Sequence, residues 1–381
     1  MNTKPTIKPE NIQFCSGPCK KRPGWSFDNF NKSILGRSHR SIEGINLINQ
    51  VIDQTRKVAE IPNDYLVGIV PGSATGAIEM AMWNFLGPRP VDFITFDVFG
   101  NRWYQDVVHN LKLNDVHNHD AQFGELPDLT QIKPKHDVLF TWNGTTTGVR
   151  VPDAKWISDN HEGLIICDAT SAAFGMELPW SKLDVTIFSW QKCLGGEAGC
   201  GVIVLSPKAI ARLQEYTPSW PVPWLLSLKN NEMINYGVFE GKTINTPSMM
   251  VVADALDALN WIESIGGLKE SIRKTNENFS VIDKWVADKD WIDFDAKDPV
   301  TRSTTSVCLQ LTDNEFNKLN VSEKWGKINH ICCMLKNENV ALDIKNHALS
   351  RPGFRIWCGP TVESGDISAL LPWLEWAYKE G

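Results

Sequence analysis

Residues 184–201 read DVTIFSWQKCLGGEAGCG. Val185, Ile187 and Phe188 make a buried strand that breaks at Trp190 and Gln191. Lys192 sits at the break, followed by Gly195, Gly196, Gly199 and Gly201 and a second apolar run at 202–205. A lysine between two strands, in a loop too glycine-rich to pack by bulk, is placed for chemistry. Held out of bulk water it has a lowered pKa, and its neutral amine can form a Schiff base with an aldehyde. The same pattern alone also describes an exposed lysine in a turn.

Working outward, strands alternate with helices. The run 66–70 is a buried strand, and PGSATG turns tightly into a helix with Ser73 and Thr75 where an N-cap belongs. Such a turn presents free N–H groups and a positive dipole end to an anion, although the P-loop pattern is absent. Strands are expected at 92–98, 137–142 and 164–167, and helices at 45–61, 101–112, 153–160 and 208–216. Continuous apolar strands between helices mean a mostly parallel sheet covered on both faces. Ligands bind such sheets at the carboxyl ends of the strands. Ser73, Thr75, Phe99, Thr145, Asp168 and Lys192 all fall just past strand ends. Beyond a loop at 218–247, helices are expected at 249–265, 268–288, 324–337 and 367–379, with strands at 306–311 and 354–359.

The 381 residues carry a net charge of −7 and 42% hydrophobic residues. That composition is globular and argues against a general nucleic-acid binder or a polybasic membrane protein. No apolar run approaches a membrane span, and 1–14 lacks a signal-peptide core. Nine scattered cysteines without a CxxC pair read as reduced cytosolic thiols. Residues 1–24 are expected to run extended over the surface. Arg37, His39 and Arg40 gather three anion donors in four residues, competing with a solvated loop. His117 and His119 have a metal-usable spacing without a supporting cluster and read as a surface loop. Cys332 and Cys333 lie in a helix-periodic run and read as core thiols.

CDATSAAFG, FSWQKCLGG, GSATG and NTP resemble the class V aminotransferases, pyridoxal-phosphate enzymes of fold type I. SGPCKKRPGW, SHR at 38–40, WQKCLGG and KTINTPS are similar to the phosphoserine aminotransferase family within that group. The resemblance implies an α/β fold with two units. Residues 15–250 would be a large cofactor-binding domain with a mostly parallel seven-stranded sheet, and 251–381 a smaller α+β domain with 1–14 packed on it. It implies that Lys192 carries the cofactor and that Asp168 pairs with its ring nitrogen, keeping the ring an electron sink. Ser73, Ala74, Thr75 and Gln191 would hold the cofactor phosphate, Thr145 would meet the ring hydroxyl, and Phe99, or Trp103, would stack on the ring. Asn245 and Thr246 would reach the phosphate from a second subunit, making a homodimer. His39 and Arg40 would contact the substrate phosphate and Arg355 its α-carboxylate.

The implied reaction moves an amino group between L-glutamate and 3-phosphohydroxypyruvate, with 4-phosphohydroxy-L-threonine as a second substrate, in the cytoplasm. A His-Arg pair that the family places about seven residues before Arg355 is missing. His347 and Arg351 are the nearest candidates, with Arg37, Lys20 or Arg22 as replacements. Other class V enzymes, an alanine- or serine-glyoxylate aminotransferase or a desulfurase-like lyase, remain alternatives, as does a non-catalytic binding module.

Overall fold

The apolar runs become one central sheet in the computed structural model, which describes residues 3–30 and 32–381. Its strands are β1 (Leu66–Pro71), β2 (Val91–Thr95), β3 (Val116–Asp120), β4 (Asp137–Thr141), β5 (Ile165–Asp168), β6 (Val185–Ser189) and β7 (Cys200–Leu205). They lie in the order β1-β7-β6-β5-β4-β2-β3. β7 runs antiparallel to both neighbours, and the other pairings are parallel. β4 and β6 are buried along their whole length, as strands covered on both faces must be.

Helices α1 (Ile42–Val58), α2 (Ser73–Phe85), α3 (Val98–Asp106) and α4 (Pro207–Glu215) accompany the sheet. α5 (Met249–Ser264) packs on α1 and leads into α6 (Gly267–Ala287). The remainder is a three-stranded antiparallel sheet, β8 (Ile292–Phe294), β9 (Ser306–Leu311) and β10 (Phe354–Trp357). α7 (Val321–Asn337) and α8 (Ser364–Glu380) pack on each other beside it. Among the described residues no helix is long and apolar enough to cross a membrane.

Four expectations need correction, each for a local reason. Residues 153–160 form turns, because Asp153 accepts from the Lys155 N–H and Ser158 Oγ from the Asn160 N–H. Those side-chain bonds offer the backbone an alternative to a helix. The strand expected to reach residue 98 stops at Thr95, since Asp97 caps α3 by accepting from the Gly100 N–H at 2.7 Å. Residues 116–120 are the edge strand β3 rather than a loop, and His119 Nε2 lies 3.1 Å from buried Asp92. The cap of α2 is Gly72, at φ +82°, and Ser73 is already the first helical residue.

The N-terminal stretch does not simply lie on the surface. Phe14 is fully buried and its carbonyl accepts from Trp357 N at 3.0 Å. Trp373 Nε1 donates to the Ile7 carbonyl at 2.7 Å, and the Glu10 N–H donates to Asp366. This path carries residues 15–19 back across the C-terminal edge of the large sheet, above Lys192.

Candidate active site

The carboxyl ends of β4, β5 and β6 open into a cavity of about 230 Å³. Lys192, Asp168, Thr145, Phe99, Gln191 and the start of α2 at Ser73, Ala74 and Thr75 line it, with Trp103. The parallel topology gathers residues more than a hundred positions apart, as it must at this edge.

Lys192 stands in the turn after β6. Its Nζ donates to the Ser16 carbonyl and lies 5.8 Å from the Trp357 ring centroid. Burial pushes its amine below the ordinary lysine value and Arg355 pushes the same way, while Cys19, Cys15 and Asp168 oppose. Gly17 covers the amine closely: a Cβ there would stand 2.7 Å from Nζ. Glycine is required at that φ of +148° and at that distance.

Asp168 ends β5, buried. Its Oδ1 accepts from the Thr170 N–H at 3.0 Å and the Thr170 hydroxyl at 2.5 Å. Its Oδ2 accepts from Trp103 Nε1 at 3.2 Å. Burial raises the Asp168 pKa, and the bonds from Thr170 and Trp103, with Lys192, pull it back down. A second carboxyl, Asp97, is buried in the same wall and pushed up to about 7, by burial first and by the Asp168 charge as well. Burial raises both acids against donors that favour their charge, Thr170 and Trp103 on Asp168 and the Gly100 N–H and Thr146 on Asp97.

At the far end α2 begins against β7. Gly201 permits this approach, since a Cβ there would lie 2.3 Å from the Ser73 carbonyl oxygen. The Ser73 N–H donates to Gly199 O at 3.3 Å, whereas among the described residues the Ala74 and Thr75 N–H groups find no acceptor. Gln191 Oε1 is buried without a partner among the described residues. Two free N–H groups at a helix start make an anion site. Toward β10, Arg355 Nη1 donates to the Thr145 carbonyl at 3.4 Å, and its buried Nε has no partner among the described residues. Thr145 Oγ1 donates to Ser306 at 2.9 Å. His347 meets the Phe99 ring edge-on at 5.8 Å, and burial followed by Arg355, Arg102 and Lys192 lowers its pKa. Arg102 lies 5.7 Å from that Phe99 ring and has no carboxylate partner among the described residues.

Four expected residues are not brought to this cavity within the chain. His39 is buried with Nε2 unpartnered among the described residues, and Arg40 is exposed. Asn245 bonds only locally, its Nδ2 donating to the Thr246 carbonyl, and Thr246 is exposed. The suggested replacement cations are engaged elsewhere: Lys20 with Asp366, Arg22 through two bonds with Asp257, and Arg37 with Glu43. Arg351 packs on Phe123 at 4.3 Å. Cys332 and Cys333 sit on α7 away from the cavity, and burial pushes the Cys332 thiol up to about 12, far from a thiolate nucleophile. Sequence reasoning missed Asp97 and the bond from Trp103 to Asp168. The Asp-x-x-Gly cap signal at 97–100 could have exposed the first; nothing local announces the second.

These groups fit pyridoxal phosphate. Lys192 is an amine with lowered basicity, Asp168 is a buried acid held by three donors, and α2 offers two free N–H groups at the opposite end. No family model matches the chain. Over 375 residues it is 48% identical to the phosphoserine aminotransferase of Methanosarcina mazei, covering 98% of this chain and 99% of that one. The phosphoserine aminotransferase of Methanosarcina barkeri is 47% identical over the same span of 375 residues, covering 98% and 99%. A solved phosphoserine aminotransferase from Cytophaga hutchinsonii superposes with a TM-score of 0.79 at 21% identity, covering 98% of this chain and 99% of that one, and so shares the fold.

Proposed function

Because the chain belongs to the phosphoserine aminotransferase family, we propose that it transfers an amino group reversibly between L-glutamate and 3-phosphohydroxypyruvate, giving O-phospho-L-serine and 2-oxoglutarate. The observation that carries the reading is 48% identity across nearly the whole of both chains. The same reading includes 4-phosphohydroxy-L-threonine as a second substrate.

Bound in the cavity, pyridoxal phosphate supplies an aldehyde for amines and a ring that withdraws electrons. Lys192 would hold the aldehyde end of the cofactor, its lowered basicity leaving a reactive neutral fraction. Its free amine would move the proton at the substrate Cα. Asp168 would hold the ring nitrogen, and Phe99 would lie against the ring. Thr145 would take the ring hydroxyl, and Ser73, Ala74, Thr75 and Gln191 the phosphate. Arg355 grips the α-carboxylate.

His39, Arg40, Asn245 and Thr246 act on the site of a second copy in a homodimer. Large apolar side chains stand exposed beside them, Ile42 at 77% and Met250 at 43%, as expected of a face that another subunit covers. We place the enzyme in the cytoplasm, in keeping with nine unpaired cysteines. The large cofactor domain spans 15–250 and the smaller domain 251–381, with the N-terminal segment packed on the latter.

The direct test mixes the purified, cofactor-loaded protein with O-phospho-L-serine and 2-oxoglutarate and measures glutamate. Glutamate from phosphoserine, with little from alanine or serine, is expected. The reverse preference would move the chain to the glyoxylate enzymes. Sedimentation should give a dimer; a monomer with full activity would refute the shared site.

A further inference from the structure

Trp103 has the surroundings of a core side chain: it is 2% exposed and packed among apolar neighbours on α3. Packing alone, however, does not account for its nitrogen. A buried indole N–H needs an acceptor, and Trp103 Nε1 takes the cavity acid Asp168 rather than a backbone carbonyl, at 3.2 Å from Oδ2. Oδ1 of that acid is already occupied by both donors of Thr170. The carboxylate is therefore held at both oxygens, and Oδ2 keeps one lone pair for the cavity. Phe99 lies one helical turn before Trp103, so one face of α3 carries both the aromatic ring at the cavity and the donor behind its acid. The ring of Phe99 and that of Trp103 are 6.5 Å apart and tilted by 34°. With its nitrogen committed to Asp168, Trp103 leaves the stacking place to Phe99.

Resting on the proposed reading that the ring nitrogen of pyridoxal phosphate meets Asp168, we infer that Trp103 is a positioning residue for the cofactor: its indole N–H, acting through Asp168, holds the carboxylate aimed at that nitrogen. Indirect contact of this kind sets the orientation and charge of the group that touches the ligand, much as outer partners do for metal ligands.

The test compares the parent with Trp103→Phe and with a chain carrying β-(3-benzothienyl)alanine at position 103. The second keeps the bicyclic shape and replaces the N–H by sulfur. Three quantities are read in the dimeric protein: the dissociation constant of pyridoxal phosphate, the pH midpoint of its visible band, and kcat against KM for phosphoserine. Both variants should bind the cofactor about tenfold more weakly, as when a bond to a charged acceptor is lost. The band midpoint should move by about half a unit or more, and kcat should fall while KM holds. Parent-like affinity and midpoint in a folded variant would overturn the inference. So would a defect in the phenylalanine variant that the benzothienyl chain does not share, because shape alone would then explain it. If Trp103→Phe does not fold, the benzothienyl chain decides by the same two outcomes. A parent that takes up no pyridoxal phosphate would sink the cofactor reading and this inference with it; uptake by the parent with parent-like variants would sink the inference alone.

Discussion

Gly17→Ala perturbs the contact that covers the Lys192 amine. A Cβ at residue 17 would stand 2.7 Å from Lys192 Nζ and 3.1 Å from its Cε, whereas ordinary contact starts near 3.4 Å. In a close-packed wall either the amine retreats by about 0.7 Å or residues 15–19 lift away from it. Alanine must also adopt φ near +148°, which costs on the order of 1–3 kcal/mol. A misplacement of ~1 Å in a reacting group can cost ~10²-fold in rate, so kcat should fall roughly 10- to 100-fold. The assay is single-turnover conversion of phosphoserine at saturating cofactor, with cofactor occupancy read by absorbance. Thermal melting in parallel separates lost stability from lost chemistry; Tm should fall, but the protein should remain folded at the assay temperature. A fully loaded variant that turns over within about threefold of the parent would refute the placement of the amine beneath Gly17.

Asp168→Asn should lower kcat by about 10²-fold or more, as loss of a preorganised charge does. It should leave the Tm of the cofactor-free protein unchanged or higher, because a desolvated charge is removed; a large fall in Tm with intact kcat would contradict both halves. Asp295 is buried with Oδ1 unpartnered among the described residues, and burial raises its pKa to about 7 against the pull of Arg351. The folded value lies above the unfolded value of about 3.9, so the folded state holds the extra proton and stability declines as pH rises from about 4 to 7. Asp295→Asn should therefore raise Tm more at pH 8 than at pH 5, and an equal or reversed difference would remove Asp295 from the account. Cys332→Ala with Cys333→Ala should leave transamination within about twofold of the parent. Sulfide release from cysteine by the parent, abolished in that double variant, would restore the desulfurase alternative.

The large sheet was legible because its strands are covered on both faces. Runs such as 137–141 and 185–189 carry apolar side chains on both faces and leave little choice of structure. β3 was not, because an edge strand need be only partly apolar, and VHNHD answers to Asp92 across the sheet rather than to a greasy core. Turns at 153–160 were missed because two side-chain bonds outweigh weak helical periodicity. In the site, Lys192, Asp168, Thr145 and the α2 turn were readable as residues just past strand ends. The bond from Trp103 to Asp168 joins positions 65 apart, and no local pattern encodes which way a buried indole points. His39, Arg40, Asn245 and Thr246 carried a family signal, yet the chain does not bring them to its own cavity. The homodimer proposed above is the arrangement in which they would meet one.

The central claim is that Lys192 carries the cofactor. Borohydride reduction of the pyridoxal-phosphate-loaded protein, followed by proteolysis and mass spectrometry, tests it directly. A phosphopyridoxyl group is expected on the peptide containing Lys192, and none on that peptide's counterpart in Lys192→Ala, which should also lose the visible band. The label on a different lysine, or a loaded enzyme that reduction leaves unlabelled, would contradict it.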